Sequence, residues 1–263
     1  MNAFKKSVGK FATAAAFAVS VATSAYAVPV ALELSLVIDV SGSIDTAEYN
    51  LQTDGYQAAF LNGTVQANIL SFAGSGGIAV NVIQFSDNAV QAIGWTQLTT
   101  AAQITAFANQ LGTMARLSSG GTDIQDGMQL GINSIGSNSY EGVRKVIDVS
   151  GDGVQNTDPA CTATGNCAAV QAARDAAAAA GIVINGLAIE GDFGTLGVTN
   201  FYNTNVRTAG GTVYTATSFS QFQTAVTTKI GEEIVPTVPE PGTLALLGLA
   251  IAGLGFSRRL KSA

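Results

Sequence analysis

Apolar, strand-like runs alternate with longer helix-like stretches through the middle of this chain, and that alternation limits the folds open to it. LELSLVID (32–39), IAVNVIQF (78–85), AVQAIGW (89–95), RKVIDVS (144–150), GIVINGLAI (181–189) and GTVYTAT (211–217) read as strands. Between them, Asp45 and Glu48 form a D-x-x-E capping box that opens a helix running to about Leu61. Further helices are predicted over 65–72, 99–111, 123–135, 167–180, 198–206 and 218–232, with Ile104, Phe107 and Leu111 on one face of the second of these. Strands that are apolar throughout must be covered on both faces, so the pattern predicts a single α/β domain with a mostly parallel, Rossmann-like central sheet. The turn Ser86-Asp87-Asn88 joins two of the runs too closely for a crossover, which predicts one antiparallel edge strand. No internal repeat is visible. The phenylalanines Phe60, Phe107 and Phe222 are expected in the core.

The two ends differ from the body. Residues 1–27 place Lys5, Lys6 and Lys10 before an apolar stretch that closes on Ala25-Tyr26-Ala27, the layout of a secretory signal cut by signal peptidase. At the other end, Pro239, Glu240 and Pro241 precede an almost wholly apolar stretch from Thr243 to Phe256, followed by Arg258, Arg259 and Lys261. This arrangement resembles the PEP-CTERM sorting signal of Gram-negative bacteria, carried by Val238, Pro239, Glu240, Pro241, the short apolar helix and the basic tail. The resemblance implies a transmembrane helix inserted transiently in the inner membrane, processing by an exosortase, and delivery to the cell surface or the extracellular space. The organisation expected is therefore a signal at 1–27, one domain at 28–238 and a sorting segment at 239–263.

Charge and residue usage then exclude several chemistries. Residues 28–238 contain six basic and 17 acidic side chains, a net charge of −11. A nucleic-acid partner needs a basic patch, so none is expected, whereas cations would be attracted. The chain has no histidine, which rules out a Ser-His-Asp triad, a Cys-His pair and histidine-ligated metals. Cys161 and Cys167 flank a polar pentapeptide, and in an exported chain they are expected to form a local disulfide that pins a loop.

Oxygen-bearing side chains gather at the ends of two strands. Asp39, Ser41 and Ser43 leave the first strand in DVSGSID, Asp152 leaves VIDVS in SGDG, and Thr122 sits in the glycine-rich loop SSGGTDIQDG. In an open parallel sheet, ligands bind beyond the carboxyl ends of the strands. Hard carboxylate and hydroxyl oxygens, without nitrogen or sulfur, select Mg²⁺, Ca²⁺ or Mn²⁺.

D-x-S-x-S, a loop threonine and a later D-G in this order are similar to the von Willebrand factor type A domain, over roughly residues 31–233. That family's metal ion-dependent adhesion site, or MIDAS, maps onto Asp39, Ser41, Ser43, Thr122 and Asp152. The chain departs from the pattern at Gly151, where many members carry threonine. Asn156 is close enough in sequence to order the same loop, although turn chemistry accounts for it equally well. Rival motifs fail: Asp148, Ser150, Asp152 and Gly153 begin like an EF-hand, but the twelfth position is Pro159. Gly74-Ser75-Gly76-Gly77 lacks the Lys of a phosphate loop and precedes a strand, so a tight turn is expected.

The resemblance implies an exported adhesion module, not an enzyme, that engages a protein or extracellular polymer through a divalent cation, with a partner carboxylate completing the coordination. Two other readings stand beside it. One is a metal-dependent hydrolase, for which Asp123 and Asp126 are the nearby spare acids; the other is a matrix component whose ion only stabilises the fold.

Overall fold

The computed structural model describes residues 27–161, 165–191 and 197–235. Among these residues the strands are β1 (Val28–Asp39), β2 (Ile78–Phe85), β3 (Ala89–Leu98), β4 (Tyr140–Gly151), β5 (Val183–Ile189) and β6 (Val213–Ala216). The helices are α1 (Thr46–Leu61), α2 (Gly63–Ser71), α3 (Ala101–Gly112), α4 (Ile124–Ser137), α5 (Ala168–Ala179), α6 (Gly197–Phe201) and α7 (Phe219–Glu233). A π-helical turn, Tyr202–Val206, extends α6.

One six-stranded sheet takes the order β3-β2-β1-β4-β5-β6, parallel throughout except for the antiparallel β2–β3 pair. This is the mostly parallel α/β architecture that the alternation predicts, with its antiparallel strand at the edge. Successive side chains of β1 point to opposite faces. Leu32, Leu34, Leu36 and Ile38 enter one core with Tyr56, Phe60, Phe107 and Phe222, while Val37 enters the other with Ile124, Met128 and Val170. Edge-to-face contacts lock α1 to its neighbours, Tyr56 on Phe222 at 5.4 Å and Phe60 on Phe107 at 5.1 Å between ring centroids.

Local sequence sets several boundaries. Asp45 caps α1 by accepting from Glu48 N while Glu48 accepts from Asp45 N, the reciprocal box expected from D-x-x-E. The AGSGG segment is a single 3₁₀ turn, Ala73–Ser75, closed by two left-handed glycines: Gly76 and Gly77 have φ of 87° and 71°, and a Cβ on Gly76 would stand 2.1 Å from Pro29 O. β1 begins at Val28, four residues before the apolar run suggests. Its first residues, Val28 to Val30, gain backbone partners along Tyr140 to Gly142 of β4, which no periodicity in residues 28–31 foretells.

Helix α7 is tied to the sheet by buried charge. Lys229 Nζ pairs with Asp148 of β4 and with Glu233 Oε1 at 2.5 Å, and Asn185 Nδ2 of β5 donates to the same Glu233 oxygen at 2.6 Å. Burial pushes the Glu233 carboxyl up to about 7 against the pull of Lys229.

Among the described residues no helix is long and apolar enough to cross a membrane, which corrects the expectation of a transmembrane helix. The longest described helix, α1, has 16 residues, short of the ~20 a span requires. The secretory signal, except Ala27, and the sorting residues Pro239, Glu240, Pro241, Arg258 and Arg259 lie outside the described residues.

Candidate metal centre

The chain leaves β1 toward β2 on one side, and reaches β4 on the other only after β3, α3 and α4. Connections that depart in opposite directions from neighbouring strands open a crevice at their carboxyl ends. Asp39 ends β1 and Gly151 ends β4, so the DVSGSID and SGDG segments enter this crevice side by side.

The first loop is organised by its own oxygens. Asp39 Oδ1 accepts from Ser41 N at 2.8 Å, turning the chain out of the sheet immediately after the strand. Ser41 Oγ and Ser43 Oγ share a hydrogen bond at 3.1 Å, and Ser43 Oγ donates to Asp152 Oδ1 at 2.8 Å. Asp39, Ser41 and Asp152 are buried, while Ser43 stands at the exposed mouth.

Thr122 arrives from the long loop before α4. Gly42 N donates to Gly120 O at 2.7 Å, so the threonine loop lies directly against DVSGSID. Asn156 then grips Thr122 in three places: its Oδ1 accepts from Thr122 N at 2.7 Å, its own N donates to Thr122 O at 3.0 Å, and its Nδ2 donates to Thr122 Oγ1 at 3.3 Å. The Thr122 hydroxyl is 3.5 Å from where a Cβ on Gly153 would stand, beside Asp152. The five residues singled out in the sequence thus converge on one edge of the sheet, and Asn156 orders the threonine loop.

Arg116 carries no signal in the sequence, yet its guanidinium braces the whole first loop. Its Nε and Nη2 donate to Val40 O at 3.2 and 2.8 Å, Nη2 also donates to Ser41 O at 2.7 Å, and Nη1 donates to Ile44 O at 2.8 Å. A planar fork of five N–H groups can reach several carbonyls at once in this way, which a lysine cannot do.

The electrostatics of the crevice favour a cation. Burial, and then the charge of Asp152, push Asp39 up to about 7 against the opposing Ser41 hydrogen bonds and Arg116. Asp39 Oδ2 is buried and has no hydrogen-bond partner in the protein. A buried carboxylate oxygen in that condition is costly unless positive charge or a proton meets it. Among the described residues no group of three or more His, Cys, Asp or Glu side chains could hold a metal, so the candidate set is two carboxylates and three hydroxyls. These donors fit a hard divalent ion.

The departure at Gly151 has a steric cause. A Cβ there would lie 2.7 Å from Asp39 Oδ2 and 2.7 Å from the Tyr202 hydroxyl. The spare acids have structural work: Asp123 Oδ1 accepts from Asp126 N at 3.1 Å and from Gln155 Nε2 at 2.9 Å, and Asp126 Oδ2 accepts from Ala89 N at 2.7 Å. The disulfide Cys161–Cys167 stands just before α5, where Cys167 N donates to Asn205 Oδ1 at 2.8 Å.

A family model described as "Protein of unknown function (DUF1194)" matches residues 29–238, and a PEP-CTERM protein-sorting motif matches residues 237–259. With that motif the chain is an exported, surface-associated protein. Comparison with curated proteins gives no match. Solved structures similar to it include proximal thread matrix protein 1 from the mussel byssus with a zinc-occupied MIDAS motif, at 21% identity and a TM-score of 0.55, covering 78% of this chain and 48% of that one. The pilus adhesin SpaC from Lactobacillus rhamnosus GG aligns at 16% identity and a TM-score of 0.56, over 78% of this chain and 30% of that one. The von Willebrand factor domain of the type V pili tip protein Mfa5 from Porphyromonas gingivalis aligns at 12% identity and a TM-score of 0.53, over 81% and 99%. At such identities the likeness is one of fold, the von Willebrand factor type A fold. The chain spans about half the length of the mussel thread proteins it matches, 46% and 47% in two crystal forms.

Proposed function

The chain belongs to the DUF1194 family, and from that premise we propose that it is an exported adhesion-type binding module that engages its partner through a divalent cation. Asp39, Ser41, Ser43, Thr122 and Asp152 would hold the ion. The observation that carries this reading is the buried, unpartnered Asp39 Oδ2, on a carboxyl that also feels the charge of Asp152 at the carboxyl edge of the sheet. The adhesins and the zinc-occupied MIDAS among proteins of the same fold support it.

When bound, the ion would supply positive charge to an oxygen of the partner. The protein's own residues divide the remaining work. Asp39 and Asp152 supply the negative charge, and the three hydroxyls add oxygen donors without further charge. Two carboxylates balance the charge of a divalent ion, but five side-chain donors leave at least one coordination position open, so an oxygen donor, such as a carboxylate of a protein or extracellular polymer, is the partner chemistry favoured. Binding is favoured over hydrolysis because Asp123 and Asp126 are engaged in capping α4 and anchoring Ala89 N, and neither is presented as a general base.

In this reading residues 1–27 are the export signal, 28–238 the binding body and 239–263 the sorting segment, whose Pro239, Glu240, Pro241, Arg258 and Arg259 an exosortase would read. The Cys161–Cys167 disulfide suits an oxidising destination.

The direct test is calorimetric titration of Mg²⁺, Ca²⁺ and Mn²⁺ into the purified protein, with Asp39→Ala as control. Saturable binding that the variant loses is the expected result. Identical titrations for the two proteins would remove the site from consideration.

A further inference from the structure

Two buried oxygens border the same space at the candidate metal centre, and neither has a hydrogen-bond partner in the protein: Asp39 Oδ2 and the Tyr202 hydroxyl. They flank Gly151, since a Cβ on that residue would stand 2.7 Å from each. The tyrosine comes from outside the metal-site loops, on the π-helical turn Tyr202–Val206 that follows α6.

A second glycine lets the ring through. A Cβ on Gly186 would lie 2.7 Å from Tyr202 Cδ1, and Gly186 pairs with Val149 in the β4–β5 ladder, two residues before Gly151. Gly151 at the carboxyl end of β4 and Gly186 midway along β5 therefore clear a path that carries the phenol from the flanking helical layer to the Asp39 carboxylate.

This placement is expensive for the fold alone. A buried hydroxyl without a partner is destabilising, and phenylalanine would fill nearly the same volume without that cost. A tyrosine hydroxyl carries its proton at neutral pH, so it can donate one hydrogen bond.

We propose that Tyr202 is a positioning residue of the cation site, its hydroxyl supplying, through one bridging water, the hydrogen bond that orients Asp39 Oδ2. The inference rests on the cation-binding reading above. Neutral and buried, the phenol would steady a carboxylate oxygen that otherwise has only the ion to meet.

The test compares the full chain as wild type, Tyr202→Phe and Asp39→Ala, by Mg²⁺ calorimetry and by melting of the metal-free protein. Loss of an outer hydrogen bond to a metal ligand typically weakens affinity about 10- to 100-fold. Tyr202→Phe should show a weakening of that order, with a metal-free melting temperature equal to or above that of wild type. Unchanged Mg²⁺ affinity overturns the proposal whatever the melting temperature does. Weaker binding together with a lower metal-free melting temperature would assign the hydroxyl to the fold, and would also overturn it. A wild type that binds no Mg²⁺ lost in Asp39→Ala would overturn the cation site itself, and this inference with it.

Discussion

The Ser43 hydroxyl donates a 2.8 Å hydrogen bond to Asp152 Oδ1, joining the loop after β1 to the loop after β4 across 109 residues of sequence. The bond closes the candidate metal centre at its exposed mouth. Ser43→Ala should therefore weaken Mg²⁺ binding clearly, while costing the metal-free fold no more than about 1 kcal/mol, the ordinary net value of such a bond. Calorimetry and denaturant unfolding of the same samples separate the two effects. A large loss of stability with intact binding would show that the bond serves the fold.

Asp39 sets a pH dependence with a definite sign. Its folded value of about 7 lies above the ordinary 3.8, so folding takes up a proton. The metal-free protein should be most stable, as far as this group is concerned, below 3.8, and should lose up to roughly 4 kcal/mol as pH rises through about 7. Mg²⁺ replaces the proton, so saturating ion should flatten that fall, and ion affinity should decline on acidification below neutrality. Urea unfolding from acid to neutral pH, with Asp39→Asn as reference, reads the difference. An Asp39 contribution that grows toward neutral pH without metal would be the wrong sign.

Arg116 should matter more through its shape than through its charge. Arg116→Lys keeps a cation beside the DVSGSID loop but loses the fork that reaches Val40, Ser41 and Ile44 carbonyls together. Both Arg116→Lys and Arg116→Ala should weaken Mg²⁺ binding and speed hydrogen exchange at the amides of residues 40–44, with alanine the more severe. If lysine restores slow exchange and full affinity, the role is electrostatic and the geometric account fails.

Lys229→Met should be the most destabilising of these changes. It strips the cation from the buried carboxyls of Asp148 and Glu233 and leaves both without it, at a cost of about 3–5 kcal/mol. The penalty should shrink at acid pH, because burial already raises both carboxyls and protonation relieves them. Denaturant midpoints at acid and neutral pH would show this, and a pH-independent loss would point to packing instead.

The sequence carried the sheet far into detail because continuous apolar strands and capped helices leave local signatures. IAVNVIQF coincides with β2, and the D-x-x-E of Asp45 and Glu48 forms the box it announces. The ends of elements were less legible. Val28–Val30 belong to β1 because β4 lies beside them, and the segment read as one helix over 198–206 divides into α6 and a π-helical turn. Each of these outcomes depends on what packs against the segment, which periodicity does not report.

The same division holds at the candidate centre. Asp39, Ser41, Ser43, Thr122 and Asp152 were visible because small oxygen-bearing residues at the ends of apolar strands form a pattern along the chain, and the strand order then had only to bring them together. Arg116, Tyr202 and Lys229 were not visible. Arg116 meets carbonyls 72 to 76 residues away, Lys229 pairs with a carboxylate on a central strand, and Tyr202 depends on two glycines from neighbouring strands. A buried polar group is defined by the partners that surround it. Only the tertiary structure supplies those partners, because burial and long-range hydrogen bonding leave no mark on the local order of residues.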